Sequence, residues 1–181
     1  MNMSVADLIR ADHREFERLF AELKTPEKRP LVAPTLVALL AAHARAEEAE
    51  IYPALRKGTD AASEVAHSQE EHAEADQLAA TLVDQQLGES AFDDTLNQLV
   101  KAVSHHLEEE EETVLPKLDG LPSQEQQRLV NAFLEVRARY LTAGATDLTR
   151  AELEQQARNE GVSAVSSMSK SQLRQEVREN D

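Results

Sequence analysis

An all-α fold follows from three features of the sequence. Ala, Leu, Glu and Gln dominate its 181 residues, while the aromatic residues are only four Phe and two Tyr, with no Trp; helices favour this composition and sheets do not. Apolar residues recur every three or four positions along extended segments, the period of a helix with one buried face. Several segments also open on a Ser or Thr with an acidic residue or Gln three positions on, a capping signature. The length suits one cored domain with a small appendage.

The first predicted helix starts at Ser4, with Asp7 in the reciprocal capping position, and ends before Pro26. A second runs from Leu31 to Leu55, interrupted near its end by Pro53. The third spans Asp60 to Gln86 and stops at Gly88, and the fourth begins after Ser90 and reaches Leu115 before Pro116. Short connections between long helices favour antiparallel neighbours, so these four form an up-down-up-down four-helix bundle. A fifth helix, opened by Pro122-Ser123 and reaching Tyr140, carries Leu129, Phe133, Val136 and Tyr140 on one stripe and packs on the bundle. The bundle domain is thus residues 1–143, with a linker at 144–147. A small helix-loop-helix module occupies 148–181, where Thr149 to Leu153 and Ser169 to Leu173 both read as capped helix starts around a loop containing Gly161.

Charge and composition exclude several functions. The formal net charge of −15 disfavours binding to phosphate backbones or anionic lipid and favours small ligands or cations. Without cysteine there is no disulfide framework, thiolate metal site or cysteine nucleophile, so any metal is held by His and carboxylates. The stretch MNMSVADLIRADHREF lacks a basic segment followed by an apolar one, and no run of 18 apolar residues occurs. The expected location is the cytoplasm, with no membrane partner.

The chemistry sits in a repeated device. HARAEEAEIYP, residues 43–53, and HLEEEEETVLP, residues 106–116, place His, Glu, Glu and Pro at the same offsets. His43 continues the apolar stripe Leu36, Leu40, and His106 continues Leu96, Leu99, Val103. His13 lies on the stripe of Ile9, Phe16, Phe20 and Leu23, and His72 on that of Val65, Ala79 and Leu82. Each of the four helices therefore aims one histidine at the bundle axis, and in two of them a glutamate at i+4, Glu47 or Glu110, stands on the same face. A metal-free polar core competes with a metal site as the explanation. Two buried glutamates among four neutral imidazoles leave two negative charges unpaired, each costing several kcal/mol, and two divalent cations resolve this. Imidazole and carboxylate together suit iron, zinc, manganese or copper. His105 also has a glutamate at i+4, Glu109, but is rotated off the stripe, and His67 belongs to a surface or interhelical contact. Glu48, Glu108, Glu111 and Glu112 read as a solvated face. Tyr52 reads as packing at the bundle end.

The set Asp12-His13, His43-x-x-x-Glu47, Glu71-His72 and His106-x-x-x-Glu110, with a proline ten residues after His43 and after His106, resembles the hemerythrin HHE cation-binding domain over about residues 1–142. The resemblance implies a four-helix bundle around a non-haem di-iron centre, two iron ions with an oxo or hydroxo bridge. By match, His13, His43, Glu47, His72, His106 and Glu110 become its ligands and the two glutamates its bridges. Oxygen-carrying hemerythrins have a further histidine one turn away on the third helix and His-x4-Asp on the fourth. Here Ser68 and Asp76 flank His72 and the fourth helix has His-x3-Glu, which argues against reversible oxygen carriage. More coordination positions are then open to a small oxidant, peroxide, O2 or NO, implying redox defence or sensing. Residues 148–178 resemble the helix-extended loop-helix module of the Rho termination factor N-terminal type, on Met168 to Leu173 and on Ala157 with Gly161-Val162. Such modules often bind nucleic acid, yet residues 145–181 hold five Lys/Arg against seven Asp/Glu, which points to a protein-contact or stabilising appendage. The competing function is therefore an iron-responsive regulator whose module contacts a protein or nucleic-acid partner.

Overall fold

The structure is a computed structural model that describes residues 3–83, 89–143 and 148–179, and these contain helices and connections but no strand. Helix α1, Val5–Leu23, opens as its cap residues dictate: Ser4 Oγ accepts the Asp7 N–H at 3.1 Å, and the Asp7 carboxylate accepts the Ser4 N–H at 3.0 Å. Two amides that a helix start leaves unpaired are thereby satisfied. Helix α2 covers residues 29–58 and α4 covers 89–119, each with a π-helical turn inside it, Glu47–Ile51 and Glu110–Val114. Between them lies α3, Ala62–Leu82, and α5 is Ser123–Ala143. The expected end of the third helix at Gln86 and Gly88, like the linker 144–147, lies outside the described residues.

Two apolar layers fill the bundle, one on each side of the histidine belt. Below His13, Val5 and Ile9 pack with Leu55, Val65, Leu115 and Leu118; above it, Phe16 and Phe20 pack with Leu36, Leu40, Leu82 and Leu99. Helix α5 leans on α1 and α2 and adds Leu129, Phe133 and Val136 to the first layer. Burying a side chain of this kind stabilises by about 1.5–3 kcal/mol, so these layers supply the free energy that a polar middle consumes. Among the described residues no helix is long and apolar enough to cross a membrane.

Neither Pro53 nor Pro116 interrupts its helix, contrary to the sequence expectation, and the π turns explain why. The Tyr52 N–H reaches the Glu47 carbonyl and the Leu115 N–H reaches that of Glu110, each five residues back. The wider turn accommodates the proline that follows, whose ring would clash with a carbonyl in an unbroken α-helix. It also frees the carbonyl of Glu48, since Pro53 has no N–H to offer it. Asn159 Nδ2 takes that place, donating to Glu48 O at 3.0 Å. The extra residue in the turn further shifts the buried face by one position: Leu55 is fully buried, whereas Ala54, on the stripe the α-helical period predicts, is half-buried.

Asn159 belongs to the C-terminal pair of helices, α6, Arg150–Asn159, and α7, Lys170–Glu179. Thr149 and Glu152 form a second capping box, and Ser169 Oγ accepts from Gln172 N at 3.2 Å while Gln172 Oε1 accepts from Ser169 N at 2.9 Å. Helix α6 ends at Gly161, whose φ of 89° suits a residue without a Cβ; Val162 N–H bonds the Ala157 carbonyl and Gly161 N–H that of Arg158. Leu153, Ala157, Val165, Leu173 and Val177 make a small core of their own. The pair is nonetheless seated on the bundle. Asn159 donates to Gln69 Oε1 at 3.0 Å, Gln156 donates to Glu48 Oε2 at 3.1 Å, and Arg56 donates to the Asn159 carbonyl at 2.7 Å. Replacing Asn159 by Ala strands the Glu48 carbonyl and Gln69 Oε1 in the interior, at about 1–3 kcal/mol. Urea unfolding of Asn159→Ala is expected to show that loss; an unchanged midpoint would mean that α6 does not dock here.

Candidate metal centre

Between the two apolar layers the four helices bring six polar side chains together. Glu47, Glu110 and His13 are fully buried, and His43, His72 and His106 nearly so. His13 Nε2 lies 3.2 Å from Glu110 Oε2, His43 Nε2 lies 3.2 Å from Glu47 Oε2, and His72 Nε2 lies 3.4 Å from that same oxygen. His72 Nε2 and His106 Nε2 are 3.1 Å apart, with Glu110 Oε2 3.9 Å from the latter. The donors fall into two groups, His13, His43, Glu47 and Glu110 in one and Glu47, His72 and His106 in the other, each with its ligand atoms within 4.8 Å of one another and with Glu47 in common.

The outward nitrogens fix the direction of the inward ones. His13 Nδ1 meets Glu111 at 2.8 Å, His43 Nδ1 meets Asp12 at 3.2 Å, His72 Nδ1 meets Glu48 at 3.3 Å, and His106 Nδ1 meets Glu71 at 2.8 Å. Every ring is held by a carboxylate from the preceding helix, with α1 closing the circle onto α4. A carboxylate at Nδ1 draws a proton to that side, so a ring that is neutral turns its Nε2 lone pair to the interior, with raised basicity. These carboxylates are anchored in turn. Arg137 of α5 donates twice to Asp12, each at 2.7 Å, Arg14 bonds Glu111, and Glu48 accepts from Arg45, Gln69 and Gln156.

Inside that circle the bonding capacity is left over. His13 Nε2, His43 Nε2 and both oxygens of Glu47 and of Glu110 have no hydrogen-bond partner; the 3.2 Å contacts between them are close but misaligned for a hydrogen bond. Buried carboxylates without partners are costly, and the pocket shows its demand for positive charge. Burial pushes the His43 ring down, yet the Glu47 charge and the Asp12 hydrogen bond outweigh it and hold the ring at about 10. His72, likewise opposed by burial, is held at about 9 by Glu47 and Glu48. Cations would meet the same demand through the orphaned atoms, and four imidazole nitrogens with two carboxylates are a donor set that fits iron.

Several participants escape a reading of the sequence. Glu48 is buried and Glu111 half-buried, each on a ligand-type histidine, so neither belongs to the expected solvated face, whereas Glu108 and Glu112 are exposed. A usable signal exists: Asp12, Glu48, Glu71 and Glu111 each stand next in sequence to one of the six central residues. Tyr52 is also at the centre rather than the bundle end, its Oη 3.2 Å from His72 Nε2 and its ring stacked on the imidazole at 5.5 Å. The π turn before it swings the side chain inward. His105 and His67 are exposed, on the outer side of Glu71.

The chain matches the Hemerythrin HHE cation binding domain family over residues 4–118, that is, α1 through α4; α5 and the C-terminal pair lie beyond the match. No curated protein and no solved structure matches. If the carboxylate circle orients the imidazoles, Asp12→Ala weakens cation binding by about 10–100-fold. Competition against a chelator measures this, and an affinity equal to that of the unaltered protein would remove Asp12 from that role.

Proposed function

The chain belongs to the hemerythrin HHE cation-binding family, and from that premise we propose a non-haem di-iron protein that binds or reacts with a small oxidant, peroxide, O2 or NO, in redox defence or sensing. His13, His43, Glu47 and Glu110 would hold one iron, and Glu47, His72 and His106 the other. Bound iron would supply the electrons for reaction with an oxidant. The chain supplies charge balance, orientation and access.

The observation that carries the reading is a cavity of about 20 Å3 beside the centre, lined by Phe16, Leu40, Ala75, Val103 and Leu107 and facing His43, His72 and His106. Its volume suits one molecule of about water size, and its walls are almost wholly apolar. A diatomic or a peroxide fits it. On the other flank Tyr52 holds its proton at Oη, because burial, reinforced by the charges of Glu47, Glu110 and Glu48, pushes the phenol well above its ordinary value. Its Oη stands 3.2 Å from His72 Nε2, within hydrogen-bond reach of the ring's inner nitrogen. Asp76 is paired with Arg45 and so is not free to serve the centre.

A second reading is favoured by the bonds from Gln156 and Asn159 to Glu48. Glu48 also orients His72, so iron occupancy and the seating of α6 are mechanically joined, as an iron-responsive regulator with a protein or nucleic-acid partner requires. The two readings part in one experiment on iron-loaded protein prepared without air, then given air, peroxide or NO. Rapid peroxide consumption or an optical change with each oxidant supports the first. No turnover, together with a large iron-dependent rise in melting temperature, supports the second.

The ligand assignment has its own check. Glu110→Ala is expected to lose one of two iron ions or most of the affinity, while His105→Ala, altering an exposed side chain, keeps both. Iron content by elemental analysis after reconstitution decides, and the opposite pattern would overturn the assignment.

A further inference from the structure

The His-x3-Glu device that builds the interior is present a second time, turned outward. His67 and Glu71 stand one turn apart on α3, and His105 and Glu109 one turn apart on α4. The two helices pack against each other, which brings the four side chains into one surface cluster. His67 Nε2 is 3.1 Å from Glu109 Oε2 and 3.6 Å from Glu71 Oε1. His105 Nδ1 is 2.9 Å from that Glu71 oxygen, and its Nε2 is 3.9 Å from Glu109 Oε1.

From this geometry we propose a separate outer cation site, formed by His67, Glu71 and Glu109 with His105 bonded to Glu71 at its edge, that takes a divalent cation of the zinc class. One ligand atom from each of the first three lies within 4.8 Å of the others. Metal–ligand bonds of about 2.0–2.1 Å around a tetrahedral ion set its ligand atoms about 3.3 Å apart, and the two His67 contacts bracket that value. An imidazole and two carboxylates, with a position left for water, are a mixed nitrogen and oxygen set that zinc accepts, and the two carboxylates neutralise its charge. A hard cation such as magnesium or calcium would prefer oxygen throughout. The cluster is open to solvent, beside a groove lined by Glu71, Glu74, Gln98, Lys101 and His105, so a cation reaches it without opening the bundle.

Glu71 joins this site to the interior. Its Oε1 faces the outer cluster while its Oε2 meets His106 Nδ1 at 2.8 Å, so an outer cation grips the carboxylate that orients an inner imidazole. His67 is exposed and Glu71 and Glu109 are half-buried, and none of the three belongs to the apolar layers.

The test is equilibrium dialysis of metal-free, full-length protein against Zn2+, comparing the unaltered chain with the double variant His67→Ala/Glu109→Gln and with His67→Gln alone, all of unchanged helicity. Glu71 is left intact because it serves His106. The unaltered protein is expected to bind one equivalent more than the double variant, and His67→Gln to weaken that equivalent selectively. Co2+ in place of Zn2+ is expected to give tetrahedral visible absorption that both variants lose. Equal Zn2+ stoichiometry and affinity in all three proteins would overturn the outer site, even with the interior filled. A single equivalent that the double variant retains would place the cation in the interior and overturn the outer site.

Discussion

Two glutamates at zero exposure, with no hydrogen-bond partner for any of their four oxygens, set the terms for the rest of this molecule. A carboxylate in such a place costs several kcal/mol unless positive charge stands beside it. Most of the architecture can be read as the provision of that charge at fixed positions. Four helices each contribute one imidazole at one level of the bundle. Apolar layers above and below keep water from competing, and they make the belt rigid by packing Phe16 and Phe133 edge-on against His43, at 5.2 and 6.0 Å between ring centres. The circle of carboxylates at the Nδ1 atoms adds negative charge, but on the outer side of the rings. It draws a proton outward on each ring, so that a neutral ring turns its lone pair inward.

The π turns are the local device that reconciles this belt with the helices carrying it. Each begins at a bridging-type glutamate and ends just before the residue that precedes a proline. Opening the backbone by one residue keeps the helix continuous past the proline, restores the apolar face one position further on, and in α2 turns Tyr52 inward. The two turns are repeats in sequence but not equivalents in effect, because the position of Tyr52 in α2 is held by Leu115 in α4. That asymmetry leaves a single phenol on the His72 side of the centre.

Polar paths lead from the belt to the outside in two directions. One runs from His72 through Glu48 to Gln156 and Asn159 of α6, helices that the family match does not reach. The other runs from His106 through Glu71 to His67 and His105 at the surface. In both, one carboxylate bonds an imidazole with one oxygen and a distant partner with the other. Each of these carboxylates thus spans the interval between the belt and the outside with its two oxygens.

The sequence by itself determined the helices, the up-down order of the bundle and the level at which His13, His43, Glu47, His72, His106 and Glu110 stand, because a helix of fixed period converts spacing into direction. It also determined the caps at Ser4, Thr149 and Ser169, which are local bonds over three residues. Only the tertiary structure decided what depends on partners distant in the chain or on a departure from that period. It was the packing of neighbouring helices that made Asp12, Glu48, Glu71 and Glu111 acceptors for imidazoles rather than a wet face, and the docking of α6 that buried Glu48. The π turns lie equally beyond a reading in steps of 3.6 residues: they carried both helices through their prolines and brought Tyr52 to the centre, since one added residue per turn changes every direction downstream.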